Sequence, residues 1–184
     1  MRSKYKLSNE DFLILFVANE FRRKGLYVLF KALSKINDAK VKLMVIGKDN
    51  KLPYIILARY LKITDKIIFI SQTEHINKFY AAGDLFVLPT RYEPVGLVVM
   101  EAIASGLPVI VSKIAGSSVL IDDEKCILHN PLNEKELIEK INFFLNNKEY
   151  AKDVSNKLMQ KIKHYTWERT AEKIYEVYKN IIEL

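Results

Sequence analysis

Residues 85–113, LFVLPTRYEPVGLVVMEAIASGLPVIVSK, restrict the fold more than any other part of the chain. The segment opens with the apolar run Leu85–Leu88 and closes with a second at residues 109–111, both short and partly β-branched. Neither run alternates polar with apolar, which is the pattern of strands buried on both faces of a parallel sheet. Between them, residues 97–105 are rich in helix formers and are stopped by Gly106 and Pro108. Strand, helix and strand at this spacing form a βαβ crossover, which is right-handed in nearly all proteins.

The same alternation runs through the rest of the chain. Residues 12–18 read as a first strand, followed by the basic turn Arg22, Arg23 and Lys24 and a helix from Gly25 to about Ile36. In that helix Leu26, Leu29, Phe30, Leu33 and Ile36 fall at helical spacing and mark its packed face. Residues 41–46 read as the second strand, 52–61 as a helix, 66–70 as the third strand and 75–82 as a short helix before the run at Leu85. After the fifth strand, Ala115 to Ser118 form a turn, and residues 126–128 read as the sixth strand. These elements predict a doubly wound, Rossmann-like α/β sheet of about six parallel strands in the order 3-2-1-4-5-6, with its switch point between strands one and four. Extra helices follow. Asn133 and Glu136 form a capping-box pattern, residues 148–165 read as a more polar helix, and Thr166 caps a last helix. On that last helix Trp167, Ala171, Ile174, Val177, Tyr178 and Ile181 are expected to pack. Residues 1–11 read as a polar linker or tail and 12–184 as a single domain.

Bulk properties narrow the function classes. A length of 184 residues suits one domain with a sizeable core, and 49% hydrophobic with 28% charged residues is ordinary for a soluble protein. The single cysteine, Cys126, excludes an internal disulfide framework and fits a reducing, cytoplasmic setting. No apolar run has the length of a membrane span, and the N-terminus has no signal-peptide core. The net charge of +7, from 29 Lys and Arg against 22 Asp and Glu, suits anionic partners such as nucleotides or an anionic membrane surface. No nucleic-acid-binding motif accompanies it, so nucleic acid is not expected as a partner. His75, His129 and His164 are scattered, so no metal set is expected.

The segment 90–101 carries the chemistry. Residues 97–104 are apolar all the way round except for Glu101, and Glu93 lies in the loop just before them. A carboxylate buried in such a helix needs a cation, a hydrogen-bond donor or a ligand; alternatively it pairs with a lysine or emerges into water at the helix edge. The loop leaves the carboxyl end of a strand and enters a helix, where open α/β sheets bind ligands and free amides hold anions. Gly96 permits close approach to the backbone, and Pro94 stiffens the helix entry. This arrangement suits a phosphate and hydroxyl site.

EPVGLVVME, two glutamates with seven residues between them, resembles the E-x7-E motif of retaining glycosyltransferases of the GT-B fold, closest to family four. The flanking FVLPTRYEPVGLVVMEAIASGLPVIVS is similar to that family's signature almost position by position. The resemblance covers roughly residues 12–182 and matches only the C-terminal, sugar-donor-binding half of such an enzyme. It implies that Glu101 accepts hydrogen bonds from the nucleotide ribose, and that Glu93 faces the sugar and the reacting centre. It also implies that the amides of Gly96 and Leu97 meet sugar or phosphate. Lys24, before Gly25, matches the family's Lys-Gly and would neutralise the diphosphate. Where many members have Gly-Arg this chain has Ala18 and Asn19, so the second cation falls to Arg22 or Arg23. Ser71, Gln72 and Thr73 correspond to the segment whose backbone meets the base. The turn at Ala115 and Gly116 departs from the family's Gly-Gly-x-Pro-Glu loop.

The resemblance therefore implies a metal-independent hexosyltransferase-type enzyme that moves a sugar from a nucleoside-diphosphate sugar to a glycan or lipid-linked acceptor. An N-terminal acceptor domain would be supplied elsewhere, and this chain alone would be inactive. A nucleotide-sugar epimerase of the same architecture and a non-catalytic nucleotide-binding module are the alternatives. The expected setting is the cytoplasm, with peripheral contact to an anionic inner membrane face.

Overall fold

In the computed structural model, which describes residues 1–182, six apolar runs become six strands. They are β1 (Phe12–Val17), β2 (Val41–Ile46), β3 (Ile67–Ile70), β4 (Leu85–Leu88), β5 (Val109–Ser112) and β6 (Ile127–Leu128). All pair in parallel, in the order β3-β2-β1-β4-β5-β6 expected from the sequence. β4, β5 and nearly all of β1 and β2 are buried, which is why these runs carry no polar face. Only β3, at the edge, is partly exposed along its whole length.

The described residues also form seven α-helices, α1 (Leu26–Lys35), α2 (Leu52–Tyr60), α3 (Ile76–Tyr80), α4 (Leu97–Ala104), α5 (Glu134–Asn146), α6 (Lys148–Ile162) and α7 (Trp167–Ile182). α1 packs beside α5 and α2, and α4 beside α6. Burial pushes the Cys126 thiol up to about 12, so this residue serves as an apolar part of the core.

Register explains where the sheet opens. β1 pairs with β2 over its full length, from Phe12 with Val41 to Val17 with Ile46. Its pairing with β4 is confined to Ile14 with Leu85 and Leu15 with Phe86. Beyond Leu15 the two central strands are no longer paired, leaving a crevice at their carboxyl ends where the strand order reverses.

The opposite end of the same strand pair is closed. The Asp84 amide donates to the Leu13 carbonyl at 2.8 Å, and Asp84 Oδ2 accepts from the Leu13 amide at 2.6 Å. Arg2 adds a charge-assisted bond to the same oxygen at 2.7 Å and another to the Asp11 carbonyl at 2.7 Å. Leu7 is buried, and the Tyr5 ring lies 6.1 Å from that of Phe79. The first eleven residues, read from sequence as a linker or tail, are thus packed on the domain: a buried apolar side chain and one arginine suffice to hold a polar segment down.

Two C-terminal details also differ from the sequence reading. Asn133 caps α5 by accepting from the Glu136 amide at 3.2 Å, but the Glu136 carboxylate does not return to Asn133. It takes the amides of His129 and Asn130 instead, tying β6 to the helix start. α7 is helical as expected, yet none of its described residues is buried and Trp167 is 74% exposed. An apolar stripe at helical spacing shows which face can be covered, not that anything in the same chain covers it.

Asp84→Ala removes the sole side-chain acceptor of the fully buried Leu13 amide, so it should lower unfolding stability by about 1–3 kcal/mol. Asp84→Asn keeps an acceptor there and should cost less than half as much. Urea denaturation of the two variants checks this, and equal losses would assign the effect to the Arg2 ion pair instead.

Candidate functional site

The crevice above β1 and β4 is bounded by two loops of similar design. Each leaves a central strand and enters a helix through a glycine in the left-handed region, Gly25 before α1 and Gly96 before α4, both at φ 85°. A side chain is strained at that φ, and at both positions space is lacking as well. A Cβ on Gly25 would lie 1.9 Å from the Pro89 carbonyl oxygen, and one on Gly96 would lie 2.5 Å from Ser117 Oγ. The loops are also tied to each other. The Arg91 amide donates to the Arg23 carbonyl at 3.0 Å, and the Arg23 guanidinium donates to the Tyr92 carbonyl and lies over the Tyr92 ring.

At the centre of the crevice Lys24 and Glu93 form an ion pair between these loops, Nζ to Oε2, with both side chains nearly buried. The other Glu93 oxygen accepts from the Gly96 amide at 3.2 Å. Burial, and after it the Arg23 charge, pushes the Lys24 ammonium down to about 8, while the Glu20 charge opposes that shift. α4 begins without a side-chain cap, and the Leu97 and Val98 amides donate to no group among the described residues. An ammonium, a carboxylate and free helix amides thus converge on one cleft of about 440 Å³.

Gln72, Thr73, Arg23, Lys24, Glu93, Gly96 and Leu97 all line this cleft, so most of the residues singled out in the sequence are brought together. Three stand apart. Arg22 is exposed and faces a neighbouring surface hollow with Arg91, so the second cation at the cleft is Arg23, held by Glu20 at 2.7 Å. Ser71 lines a smaller adjoining cavity. Glu101 lies one helical turn beyond Val98, which does line the cleft.

Glu101 is also not buried: of the alternatives left open by the sequence, it emerges into water at the helix edge. α4 presents Leu97, Glu101, Ala104 and Ser105 to solvent, a stripe at helical spacing, while Val99, Ala102 and Ile103 face the core. The carboxylate sits at the helix edge and accepts from the Tyr80 hydroxyl at 2.9 Å. Tyr80 and Ser117 escaped the sequence reading. Tyr80 lies in the short helix expected over residues 75–82, with no motif to mark it. Ser117 Oγ is buried beside Gly96 with no hydrogen-bond partner among the described residues, and only the folded loop after β5 puts it there.

A larger cavity, about 610 Å³, opens at the amino ends of the strands. Its carboxylates are engaged in structural contacts, Asp84 with Arg2, Glu10 with Lys40 and Asp11 with the Ser8 amide. It offers no comparable convergence of free groups.

Comparison with known proteins agrees with this geometry. The chain is 28% identical to the uncharacterized glycosyltransferase MJ1607 of Methanocaldococcus jannaschii, over all of this chain (100%) and 48% of that protein. It is 29% identical to the lipopolysaccharide glucosyltransferase WaaG of Escherichia coli K12, over 75% of this chain and 38% of that one. A crystal structure of WaaG superposes with a TM-score of 0.82 at 26% identity, covering 88% of this chain and 45% of that chain. Sucrose-phosphate synthase from Thermosynechococcus elongatus superposes with a TM-score of 0.86 at 26% identity, covering 99% and 48%. The chain spans about half the length of the curated relatives it matches. The sequence model for glycosyl transferases group 1 matches residues 1–161. On a sheet with the strand order and crevice described above, that match covers both loops of the cleft, and the chain belongs to the glycosyl transferases group 1 family.

Proposed function

We propose that the cleft above β1 and β4 holds the nucleoside-diphosphate sugar of a retaining glycosyltransferase, and that this chain is the sugar-donor-binding half of the enzyme. The observation that carries the reading is the convergence of Lys24, Glu93 and the uncapped start of α4 on one cleft. A diphosphate has two needs, cationic neutralisation and oriented N–H groups, and Lys24 and the amides of Leu97 and Val98 meet both without a metal. Arg23 adds a second positive charge at the rim. These groups are also suited to hold the charge that grows on the diphosphate as it departs.

The remaining roles are those that the family resemblance implies. Glu93 adjoins the diphosphate groups and is suited to the sugar hydroxyls and the positive charge that develops at the anomeric carbon. Glu101, beyond Val98, is suited to the ribose diol, because a carboxylate offers two acceptor oxygens. Gln72 and Thr73 lie at the far wall, where backbone groups can meet the base.

The acceptor, a glycan or lipid-linked molecule, is assigned to a second domain. Support comes from the share of the relatives' length that this chain matches and from the exposed apolar stripe of α7, surface of the kind another domain covers. No helix among the described residues is long and apolar enough to cross a membrane. We assign the enzyme to the cytoplasm, where the +7 charge would favour contact with an anionic membrane face.

The direct experiment is calorimetry with UDP, GDP and ADP in the presence of a chelator. At least one should bind, and Lys24→Ala should weaken it by about 1.5–3 kcal/mol, the range for a charged hydrogen bond. No heat from any of the three at millimolar concentration would count against the site.

Glu93→Gln should bind the plain nucleoside diphosphate below about pH 7 at least as well as the parent, because Lys24 is released from its partner. In the parent, Lys24 loses its proton as the pH rises through about 8. Its attraction for a diphosphate is present below that pH and absent above it, so the parent's affinity should fall between about pH 7 and about pH 9, and in the variant, which lacks the carboxylate that favours the ammonium, the fall should begin at lower pH. Coincident profiles for the two proteins would remove the ion pair from the account.

The chain alone should transfer no sugar, and transfer should appear once a matching acceptor domain is co-expressed, since orientation of two substrates supplies much of an enzyme's rate. Mass-detected product formed efficiently by the chain alone would place the acceptor site within these residues.

A further inference from the structure

We infer that Tyr80 is a positioning residue of the sugar-donor site: its hydroxyl fixes Glu101 so that one carboxylate oxygen is left for the nucleotide ribose. The inference rests on the proposed function and extends it to a residue outside the motif.

Tyr80 ends α3, the helix that precedes β4, and Glu101 lies on α4, the helix that follows it. Ile76 and Val98 both line the cleft; Tyr80 is four residues on from the first and Glu101 three on from the second. At those spacings each stands behind its cleft-lining neighbour on the same helix face. The Tyr80 side chain crosses between the helices to reach Glu101 Oε2 at 2.9 Å, and the Val98 carbonyl lies 3.3 Å from the same hydroxyl. A phenol has one proton to donate, and the shorter contact to a charged acceptor takes it.

The aromatic ring is held in the core. Tyr80 is 2% exposed, and its ring packs against Phe86 of β4 at 6.1 Å. Burial, and then the Glu101 charge, pushes the phenol well above its ordinary range, so it remains a donor at any working pH. Glu101 has the opposite character: it is exposed, and among the described residues its second oxygen accepts no hydrogen bond. An exposed glutamate samples several rotamers, and a ribose would have to select one. A rigid donor on one oxygen makes that selection before the nucleotide arrives and leaves the other oxygen available.

A core tyrosine with a merely structural role would affect all ligands alike. A positioning role affects the ribose hydroxyls alone, and this is what the experiment reads. Calorimetry compares UDP, GDP and ADP with their 2′,3′-dideoxy forms and with inorganic pyrophosphate, in the parent, Tyr80→Phe, Glu101→Ala and the double variant. The parent is expected to prefer the ribose form by about tenfold or more, the scale of a charged hydrogen bond. Glu101→Ala should abolish the preference, and Tyr80→Phe, which keeps the ring and its packing, should reduce it by about threefold or more. Pyrophosphate affinity should be unchanged in both, and the double variant should match Glu101→Ala alone. A full ribose preference in Tyr80→Phe overturns the inference and leaves the sugar-donor reading standing. So does a uniform loss for every ligand, pyrophosphate included. Nucleotide binding by the parent with no ribose preference removes the role given to Glu101, and the inference with it. Binding of none of the nucleotides refutes the sugar-donor reading itself.

Discussion

The ion pair between Lys24 and Glu93 is the contact on which the site depends. Two charges held largely out of water cost several kcal/mol each unless they are matched, and here each is matched by the other, with the Gly96 amide on the second carboxylate oxygen. One partner comes from the loop after β1 and the other from the loop after β4, so the pair forms only when these strands are neighbours. Both helices also begin hard against a neighbouring loop, α1 against the one after β4 and α4 against the one after β5. Only glycine at positions 25 and 96 permits that, because each backbone runs within contact of another loop at positive φ.

The central strands divide stability from function along their length. At the amino end, Asp84 brackets the Leu13 peptide on both sides, and Arg2 neutralises its charge. At the carboxyl end the ladder between β1 and β4 has already stopped, and the two loops meet instead through the Lys24–Glu93 pair at the wall of a cleft. A parallel sheet produces this asymmetry without special residues. Every helix N-terminus that follows a strand points its free amides toward the same edge, and right-handed crossovers in two directions leave a gap where they diverge.

The Glu101 environment shows what a wholly apolar helix does and does not imply. Val99, Ala102 and Ile103 carry the packing, while Leu97, Glu101 and Ala104 face out, so the helix has a solvent stripe that residue type alone conceals. α7 makes the converse point, with a well-formed apolar stripe of which no described residue is buried. In both cases burial is a property of the neighbours, and a single segment does not contain its neighbours.

The sequence by itself determined the sheet and the location of the chemistry. Short apolar runs without alternation specify doubly buried parallel strands, and glycine with proline punctuation specifies the crossovers between them. Once six such runs alternate with helices, handedness leaves few topologies, and the order 3-2-1-4-5-6 expected by analogy with doubly wound sheets is the one observed. The two glutamates and the Lys-Gly turn were legible through their spacing and the family resemblance it carries. Tertiary structure decided the contacts between segments distant in sequence. It chose Arg23 over Arg22, since one side chain turns to Glu20 and Tyr92 and its neighbour turns to solvent. It paired Lys24 with Glu93, docked the N-terminal residues through Arg2, and set Tyr80 under Glu101. None of these leaves a periodic trace along the chain, because a hydrogen bond between two loops or two helices depends on distances and rotamers that only the packed sheet fixes.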